Sequence, residues 1–287
     1  MRVLVLGGGQ IARAVAAAVP GQCQVVSRAR AELDIVDASA VSRTLAEIKP
    51  DWVVNAAAYT AVDLAEDQSA QAYAVNDTAV ASIVRATAQE GGRLLHLSTD
   101  FVFDGNTNRA YLTTDQTNPL GVYGASKLGG ERHALADGAA GIVLRTSWVY
   151  AAEGKNFVLT MLRLMREKNQ INVVCDQIGA PTWAASAAAS IWGLIDVNAA
   201  SGVYHWSDLG VASWYDFAVA IQDEALSRGL LTRAVPILPI ASAAYPTRAR
   251  RPAFSALDTT STRALLNVPA QHWRHNLRTM LDELRTT

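Results

Sequence analysis

Strand and helix signals alternate regularly through the first half of the chain, and this alternation limits the possible folds more than any other feature. Short apolar runs typical of buried strands are each followed by a segment with helical spacing. The predicted strands are Val3–Leu6, Gln24–Ser27, Trp52–Ala56, Arg93–Ser98 and Gly141–Thr146, and the predicted helices are Ile11–Val19, Ala40–Ile48, Ser69–Gln89 and Val122–Leu135. Repeated strand–helix–strand units place their strands in one parallel sheet with helices on both faces. The sequence therefore predicts an α/β fold, a Rossmann-type doubly wound parallel sheet.

The second half is less regular and predicts a smaller C-terminal α/β lobe. Its predicted helices are Asn156–Lys168, Ala184–Ile195, Trp214–Leu226 and Thr262–Leu284, its strands are Asn172–Cys175 and Gly202–His205, and its loops are Asp176–Thr182 and Pro236–Pro252. We expect residues 1–150 to form the sheet domain, with residues 182–205 returning to it. Residues 151–181 and 206–287 then form the smaller lobe.

Bulk composition excludes several classes of protein. The net charge of −1 and the pI of about 6.5 do not favour nucleic acid or an anionic membrane surface. Cys23 and Cys175 lie among apolar residues, which favours two free thiols over a disulfide, and no spacing typical of a metal site is present. The apolar start of the chain is typical of a buried strand and not of a signal peptide, and no apolar run reaches about 18 residues. We expect a cytoplasmic protein without a membrane span or a metal.

A glycine-rich turn follows the first predicted strand and opens the first helix. The run Gly7-Gly8-Gly9-Gln10-Ile11-Ala12 fits the pattern G-x-G-x-x-A. Small residues let backbone amides approach a pyrophosphate, and a helix amino terminus carries positive partial charge. Gly7, Gly9, Gln10 and Ile11 are therefore candidates for binding a dinucleotide, and the alternative is a plain tight turn.

The end of the second strand bears on the choice of dinucleotide. An acidic residue about 20 positions after the glycines would bind the ribose 2′-hydroxyl of NAD, but here the strand ends in Val26-Ser27-Arg28. Ser27 and Arg28 could instead hold a 2′-phosphate, because a guanidinium pairs well with phosphate. This favours NADPH, with NADH possible. The alternative is that Arg28 is merely solvated.

Tyr123 and Lys127 are four residues apart on a predicted helix, so they share one helix face. An ammonium there lowers the cost of ionising the phenol, which makes the tyrosine a usable proton donor and acceptor. Alone, this spacing is weak evidence, since an amphipathic helix with an exposed lysine would give the same pattern. Together with the glycine turn and with Ser98-Thr99-Asp100 after an apolar run, it predicts hydride chemistry on a carbonyl.

Several longer motifs make the pattern more specific, and through them the chain resembles the dTDP-4-dehydrorhamnose reductase family of extended short-chain dehydrogenases/reductases. These motifs are Asn55–Glu66, Ser98-Thr-Asp-Phe-Val-Phe-Asp-Gly105, Tyr123-Gly-Ala-Ser-Lys-Leu-Gly-Gly-Glu131, Arg145-Thr-Ser-Trp-Val-Tyr150, Asp176-Gln-Ile-Gly-Ala-Pro-Thr182 and Tyr245-Pro-Thr-Arg-Ala-Arg-Arg-Pro252. They cover both lobes, and the resemblance implies that the smaller lobe binds the substrate.

The resemblance implies reduction of the 4-keto group of dTDP-4-dehydro-L-rhamnose to dTDP-L-rhamnose. Thr99, Tyr123 and Lys127 would form the catalytic set, with Tyr123 and Lys127 also contacting the cofactor. Further cofactor contacts would come from Asp34, Ile35, Ala57, Ala58 and Tyr59. Substrate contacts would come from Val62, Asp100, Phe101, Trp148, Gln177 and Thr182, and from Arg250 or Arg251 on the diphosphate. For Trp148 a place in the core, and for the arginines a solvated loop, are the alternatives.

Three departures from the family pattern affect these expectations. The glycine loop is one residue shorter than the usual G-x-x-G-Q-x-G. The stretch Ala12-Arg13-Ala14 lacks the glutamate through which some relatives pair across Mg²⁺, so we expect a monomer or a weak homodimer without that metal-bridged contact. Phe101 stands where tyrosine is frequent, which could relax the choice of substrate.

Other functions remain open at this stage. The chain could act as a 4-ketoreductase on another dTDP- or UDP-deoxyketosugar. Epimerases and dehydratases share the Tyr/Lys pair, but Asp100 is followed by Phe101 and not by the glutamate expected of a dehydratase. A non-catalytic regulatory subunit of the methionine adenosyltransferase type has the same fold, but retention of the three catalytic residues favours an enzyme.

Overall fold

The computed structural model of the chain describes residues 1–136, 139–269 and 271–286. Its strands are β1 (Arg2–Leu6), β2 (Gln24–Arg28), β3 (Trp52–Asn55), β4 (Arg93–Thr99), β5 (Gly141–Thr146), β6 (Val149–Tyr150), β7 (Ile171–Val174), β8 (Ile178–Gly179), β9 (Thr182–Trp183), β10 (Gly202–His205), β11 (Ala212–Ser213) and β12 (Ile237–Ile240). Its α-helices are α1 (Gln10–Ala17), α2 (Ala38–Ile48), α3 (Val62–Ala65), α4 (Ser69–Tyr73), α5 (Ala79–Gln89), α6 (Val122–Ala134), α7 (Phe157–Glu167), α8 (Ala184–Asp196), α9 (Trp214–Ser227), α10 (Thr260–Leu266) and α11 (Trp273–Thr286).

The main sheet has the order β10-β5-β4-β3-β1-β2 in the described part of the chain, and all its neighbouring strands are parallel. The order reverses between β1 and β3, because the chain runs outward from β1 to β2 and then returns to build the other side. Ligands of doubly wound sheets bind in the crevice beyond the strand ends at such a reversal. The predicted fold class is confirmed, and the sheet directs attention to the carboxyl ends of β1 and β3.

Helices cover both faces of this sheet, because its strands are apolar on both sides. On one face, α1 and α8 pack on β1 through residues such as Val15 and Ile191. On the other face, α2, α5 and α6 pack through residues such as Leu45 and Ile83. A third apolar cluster lies outside the sheet and joins α7, α9 and α11 around Phe217 and Met165. In the described part of the chain, apolar packing is therefore centred on the two faces of the sheet and, separately, on the cluster around α7, α9 and α11.

Two long predicted helices are interrupted. The helix expected over Ser69–Gln89 is split into α4 and α5 by a π-helical turn at Ala74–Thr78. That turn buries Asn76, whose Oδ1 accepts from the Tyr59 amide and whose Nδ2 donates to the Tyr59 carbonyl. The helix expected over Thr262–Leu284 ends at Leu266, since Asn267 adopts the left-handed conformation (φ 50°), and helix starts again at Trp273. Tertiary contacts and a left-handed residue decide these breaks, and periodicity detects neither.

Two predicted loops contain short strands. The stretch expected to be a loop at Asp176–Thr182 contributes β8, which pairs with β11, and the start of β9, which pairs with β6. Within the predicted loop Pro236–Pro252, β12 pairs in parallel with β7 although it contains Pro239. Proline is tolerated on an edge strand because the missing N–H can face away from the partner. These pairings hold together the smaller lobe and the loops above the sheet.

Within residues 1–136, 139–269 and 271–286, we find no helix long and apolar enough to cross a bilayer.

Candidate active site

A cleft of about 720 Å³ opens at the carboxyl edge of the main sheet. Its walls come from residues that follow β1, β3, β4 and β5, together with the start of α6 and two segments of the smaller lobe. The lining residues include Gly8, Gly9, Gln10, Ile11, Arg13, Ala58, Val62, Thr99, Asp100, Phe101, Tyr123, Lys127, Trp148, Lys155, Trp214 and Arg251. This volume is typical of a pocket that encloses most of a small ligand.

The glycine turn brings backbone close to backbone at the switch point of the sheet. Gly7 has φ 113°, and a Cβ added there would lie 2.9 Å from the carbonyl carbon of Ala56 and the amide nitrogen of Ala57. Gly9 is the residue before α1, and a Cβ there would meet nothing within 4 Å. Gly7 is therefore required by the fold, whereas Gly9 leaves the amino end of α1 open to the cleft. An open helix amino terminus suits an anionic group.

The predicted contacts beyond the glycine turn lie at the same sheet edge but outside the cleft lining. Arg28 ends β2, its carbonyl accepts from the Gly7 amide at 2.9 Å, and its guanidinium donates to the Ser27 carbonyl at 3.0 Å. Asp34 is exposed and Ile35 is buried in the core beneath it. This end of the site is a surface beside the turn and not part of the enclosed cavity.

The strand-to-helix connection after β3 supplies three predicted residues with unequal access. Ala58 lines the cleft, while Ala57 and Tyr59 do not. The Ala57 amide donates to Asn55 Oδ1, and Asn76 holds both backbone groups of Tyr59. The connection is thus fixed by side-chain amides, which keeps Ala58 facing the cleft.

Tyr123, Lys127 and Thr99 are brought together in the cleft. Tyr123 and Lys127 lie one turn apart at the start of α6, and Thr99 ends β4 beside them. Thr99 Oγ1 accepts from the Phe101 amide at 3.2 Å and donates to Asp100 Oδ1 at 3.0 Å. The Phe101 ring packs edge-on against Tyr123, with ring centroids 5.6 Å apart. Phe101 and Asp100 therefore support the position of the two hydroxyl groups.

Burial shifts the titration of the groups in this cluster. It raises the pKa of the Tyr123 phenol to about 12, against the opposing effect of a hydrogen bond with Thr99, and the Asp100 charge adds to the rise. Burial also lowers the pKa of Lys127 to about 8 and raises the pKa of Asp100 to about 6. A phenol, an amine and a carboxyl group, each with a shifted pKa, thus lie together in the cleft, as in many catalytic sites.

Trp148 forms a wall of the cleft at its smaller-lobe side. It has φ 48°, and its indole stacks on Trp214 with ring centroids 3.4 Å apart and planes at 3°. A Cβ added at Gly179 would come within 2.8 Å of three Trp148 ring atoms, so a larger residue there would displace the indole. Both tryptophans line the cleft while packing against the core of the smaller lobe. The two interpretations of Trp148, cleft wall and core, both describe part of its environment.

Of the other predicted substrate contacts, some line the cleft and others do not. Val62 lines the cleft, whereas Gln177 donates to Ser242 Oγ at 3.0 Å and Thr182 is fully buried, both outside the lining. Arg251 lines the cleft and its guanidinium contacts the Asp63 carboxylate at 2.7 Å and 3.2 Å. Arg250 is exposed and lies outside the lining.

Several cleft residues were not identified from sequence. Arg13 on α1 is held by the Gly8 carbonyl and by Glu153, and Lys155 lies in the same loop as Glu153. The basic residue one turn into the glycine-loop helix was the available signal for Arg13. For Lys155 and Trp214 the sequence gives no local signal, because their place depends on how the smaller lobe packs over the sheet.

The cleft can hold a dinucleotide together with the substrate that reacts with it. It runs from the open amino end of α1, with Arg13 and Lys155 nearby, to the hydroxyl groups of Thr99 and Tyr123. Helix end and basic side chains both favour a pyrophosphate. No cluster of three or more His, Cys, Asp or Glu side chains is placed to hold a metal ion in the residues described.

Comparison with known proteins agrees with this geometry. The family model for the RmlD substrate binding domain matches residues 1–286. The chain is 42% identical over 289 residues to a dTDP-4-dehydrorhamnose reductase of Burkholderia thailandensis, covering 96% of both chains. It is 39% identical over 258 residues to the Escherichia coli K12 protein of the same name, covering 88% of this chain and 86% of that one.

Solved structures of the same kind superimpose closely. A dTDP-4-dehydrorhamnose reductase from Clostridium acetobutylicum gives a TM-score of 0.93 at 33% identity, covering 99% of this chain and 100% of that one. A second, from Bacillus anthracis in complex with NADP, gives 0.91 at 32% identity, covering 98% and 99%. The match extends over the sheet, the cleft and the smaller lobe. This chain therefore belongs to the RmlD family, the family of the dTDP-4-dehydrorhamnose reductases.

Proposed function

We propose that this protein uses NADPH to reduce the 4-keto group of dTDP-4-dehydro-L-rhamnose, forming dTDP-L-rhamnose. The observation that carries the proposal is one cleft that contains Thr99, Tyr123 and Lys127 at one end and the open amino terminus of α1 at the other. Family membership at 36–42% identity to curated reductases supports the same activity.

The reaction needs a hydride at C4 and a proton at the C4 oxygen. NADPH supplies the hydride when it is bound. Tyr123 donates its phenolic proton to the oxygen, and Thr99 donates a hydrogen bond to the same atom as charge develops there. Thr99 now donates to Asp100, so its hydroxyl group must rotate to make that contact. The Lys127 ammonium stabilises the phenolate left on Tyr123.

We assign the cofactor contacts along the carboxyl edge of the sheet. Gly7, Gly9, Gln10 and Ile11 shape the pyrophosphate site, and Ser27 with Arg28 at the end of β2 would hold the 2′-phosphate. Asp34 and Ile35 would flank the adenine. Ala57, Ala58 and Tyr59 would contact the part of the cofactor that extends toward Tyr123 and Lys127.

Substrate contacts are assigned to the opposite side of the cleft. Val62, Asp100, Phe101 and Trp148 line it and would surround the sugar nucleotide. Gln177 and Thr182 lie outside the cleft lining, so we assign them an indirect role in supporting this wall in place of the expected substrate contacts. For the diphosphate we favour Arg251 over Arg250, because Arg251 reaches the cleft.

Three further assignments complete the proposal. Residues 1–150 with 182–205 form the NADP-binding domain, and residues 151–181 with 206–287 form the substrate lobe. The protein is a monomer or a weak homodimer without a metal bridge, which sedimentation with and without a chelator would test. It acts in the cytoplasm on a nucleotide-activated deoxysugar.

Purified protein mixed with NADPH and dTDP-4-dehydro-L-rhamnose tests the activity through the loss of absorbance of the reduced nicotinamide. The configuration at C4 of the product, read by NMR, identifies the sugar formed. dTDP- and UDP-linked 4-ketosugars of other configuration serve as competing substrates. If NADPH is oxidised with one of these sugars but not with dTDP-4-dehydro-L-rhamnose, that sugar replaces the proposed substrate. If NADPH is oxidised with none of the sugars, the assignment as an enzyme is wrong.

A further inference from the structure

Three buried polar side chains form a line behind the proposed catalytic lysine. Asn55 at the end of β3 and His96 in β4 are both fully buried, and Lys127 on α6 is 3% exposed. Asn55 Nδ2 lies 3.1 Å from His96 Nδ1, and His96 Nε2 lies 3.3 Å from Lys127 Nζ. The proposed reaction gives Asn55 and His96 no role, although burying polar groups is costly unless they are paired.

The orientation of Asn55 determines which nitrogen of His96 carries the proton. The backbone amide of Ala57 donates to Asn55 Oδ1 at 3.2 Å, so the amide nitrogen of Asn55 must point at the imidazole. An amide nitrogen can only donate, and therefore His96 Nδ1 accepts. Burial lowers the pKa of His96 well below its usual range, and the Lys127 charge lowers it further. A neutral ring whose Nδ1 accepts carries its proton on Nε2.

His96 therefore presents an N–H group to Lys127. An ammonium group has three donors and no acceptor, so it cannot accept from this N–H, whereas a neutral amine can. One Lys127 hydrogen is already directed to the Leu97 carbonyl at 2.6 Å. The contact with His96 thus distinguishes between the two protonation states of the lysine and favours the amine.

The nearby charges do not cancel this effect. Glu131, one turn further along α6, favours the ammonium, but its carboxylate is engaged by Arg145 at 2.9 Å and 2.7 Å and by Ser98. His205 lies behind Arg145, with 3.4 Å between Nε2 and the guanidinium. On the cleft side stand Tyr123 and Asp100, and burial keeps the phenol protonated at neutral pH.

We propose that His96, fixed by Asn55 with its proton on Nε2, is a positioning residue that holds Lys127 ready to release a proton. This inference rests on the proposed function, in which Tyr123 loses a proton at each turnover and must be reprotonated. The Lys127 ammonium passes its proton to the phenolate and regains one from water in the cleft, which Lys127 lines. A lysine that keeps its ammonium too firmly would support the phenolate but would not return a proton to it. His96 adjusts that balance without touching substrate or cofactor.

The titration of Lys127 tests the proposal without any turnover. The chain has four lysines, so side-chain labelling with ¹³C gives few signals, and Lys127→Arg identifies the one that matters. In the cofactor-free protein we expect His96→Leu to move the titration of Lys127 upward by about one pH unit, because the opposing N–H is removed. His96→Gln should keep the wild-type titration, because its Oε1 can accept from Asn55 while its N–H faces Lys127.

Two results of these NMR measurements would overturn the inference. One is an unchanged Lys127 titration in folded His96→Leu. The other is a wild-type His96 with its proton on Nδ1, which ¹⁵N shifts of the five histidines report even if both variants fail to fold. Activity separates this inference from the proposed function. A protein that reduces no ketosugar, but whose Lys127 responds to His96, loses only the function assignment.

For an active enzyme, the pH profile gives a second readout. The alkaline limb of kcat should follow Lys127 and lie at higher pH in His96→Leu than in the wild type and His96→Gln. KM for the sugar nucleotide should stay within about twofold, since His96 lies behind the cleft wall. An equal loss of kcat at every pH would instead indicate a purely structural role.

Discussion

The two walls of the cleft are built in different ways. On the cofactor side, Gly7 fits against the backbone of Ala56 and Ala57, and the amino end of α1 is fixed by the sheet below it. On the substrate side, the loop that carries Arg251 is held to α3 by the ion pair with Asp63, and nearby Arg248 contacts Asp67. The first wall depends on close backbone packing and the second on partly exposed charges.

This difference indicates how each wall responds to its ligand. Backbone packing has one arrangement and is in place before the cofactor arrives. Exposed ion pairs contribute only about 0–1 kcal/mol each, so a diphosphate can replace Asp63 as the partner of Arg251 at little cost. Hydrogen bonds from the Arg251 guanidinium and from the Ala249 amide hold the pKa of Asp63 below its usual range, so the pair persists at neutral pH. We therefore expect substitutions at the closely packed positions of the first wall to affect stability, and substitutions in the second wall to affect substrate binding.

The largest effect is expected at Tyr123, which stands between the two walls. Tyr123→Phe removes the proton donor and should lower kcat by about two to four orders of magnitude. NADPH binding, measured by fluorescence, should change little because the ring and its contact with Phe101 remain. Unchanged turnover in this variant would exclude Tyr123 as the acid.

Gly7→Ala tests the cofactor wall. The left-handed backbone and the contacts at 2.9 Å should reduce the free energy of unfolding by about 2–4 kcal/mol, as measured by urea denaturation. Gly9→Ala is the matched control, because its Cβ would meet no protein atom within 4 Å. It should cost less than about 1 kcal/mol and act mainly on NADPH affinity. Equal destabilisation by both changes would contradict the assignment of separate roles.

Arg251→Ala tests the substrate wall. Loss of the guanidinium should raise KM for the dTDP-sugar by about 10- to 100-fold with a smaller change in kcat, as expected for a group that binds ground state and transition state alike. Stability should change by less than about 1 kcal/mol. Arg250→Ala, one residue away and outside the cleft, should have a much weaker effect. A larger increase in KM for Arg250→Ala would indicate that Arg250, and not Arg251, binds the diphosphate.

Arg28→Ala tests the cofactor wall beyond its enclosed part. If this guanidinium pairs with the 2′-phosphate, the ratio of kcat/KM for NADPH to that for NADH should fall by about tenfold. Arg30→Ala is a suitable control, because Arg30 instead pairs with Asp34 at 3.7 Å. A preference for NADPH that survives in Arg28→Ala would show that the phosphate is held elsewhere.

The elements with strong periodicity were predictable from sequence, and contacts between distant segments were not. The strands of the sheet and the Tyr123/Lys127 pair follow from local patterns, because burial on both faces and helix spacing leave direct signatures. The π-helical turn at Ala74–Thr78 has no such signature, because it depends on the tertiary hydrogen bonds between Asn76 and the backbone of Tyr59. The Asp63–Arg251 pair joins residues 188 positions apart, and the role of Trp214 depends on packing between lobes. These features require three-dimensional information.

Strand β10 and helix α8 lie in the sheet half of the molecule, although the chain has already left that half after Tyr150. The polypeptide therefore passes repeatedly between the sheet and the lobe, since α10 also packs on α8 and β10 before α11 returns to the lobe, and no single cut separates the two. On the domain bounds proposed above, a minimal coenzyme-binding fragment would need a designed linker in place of residues 151–181, followed by the native segment through His205. A simple truncation after residue 150 would remove β10, the outer neighbour of β5, and α8, the helix that covers α1, and would expose an apolar edge prone to aggregation.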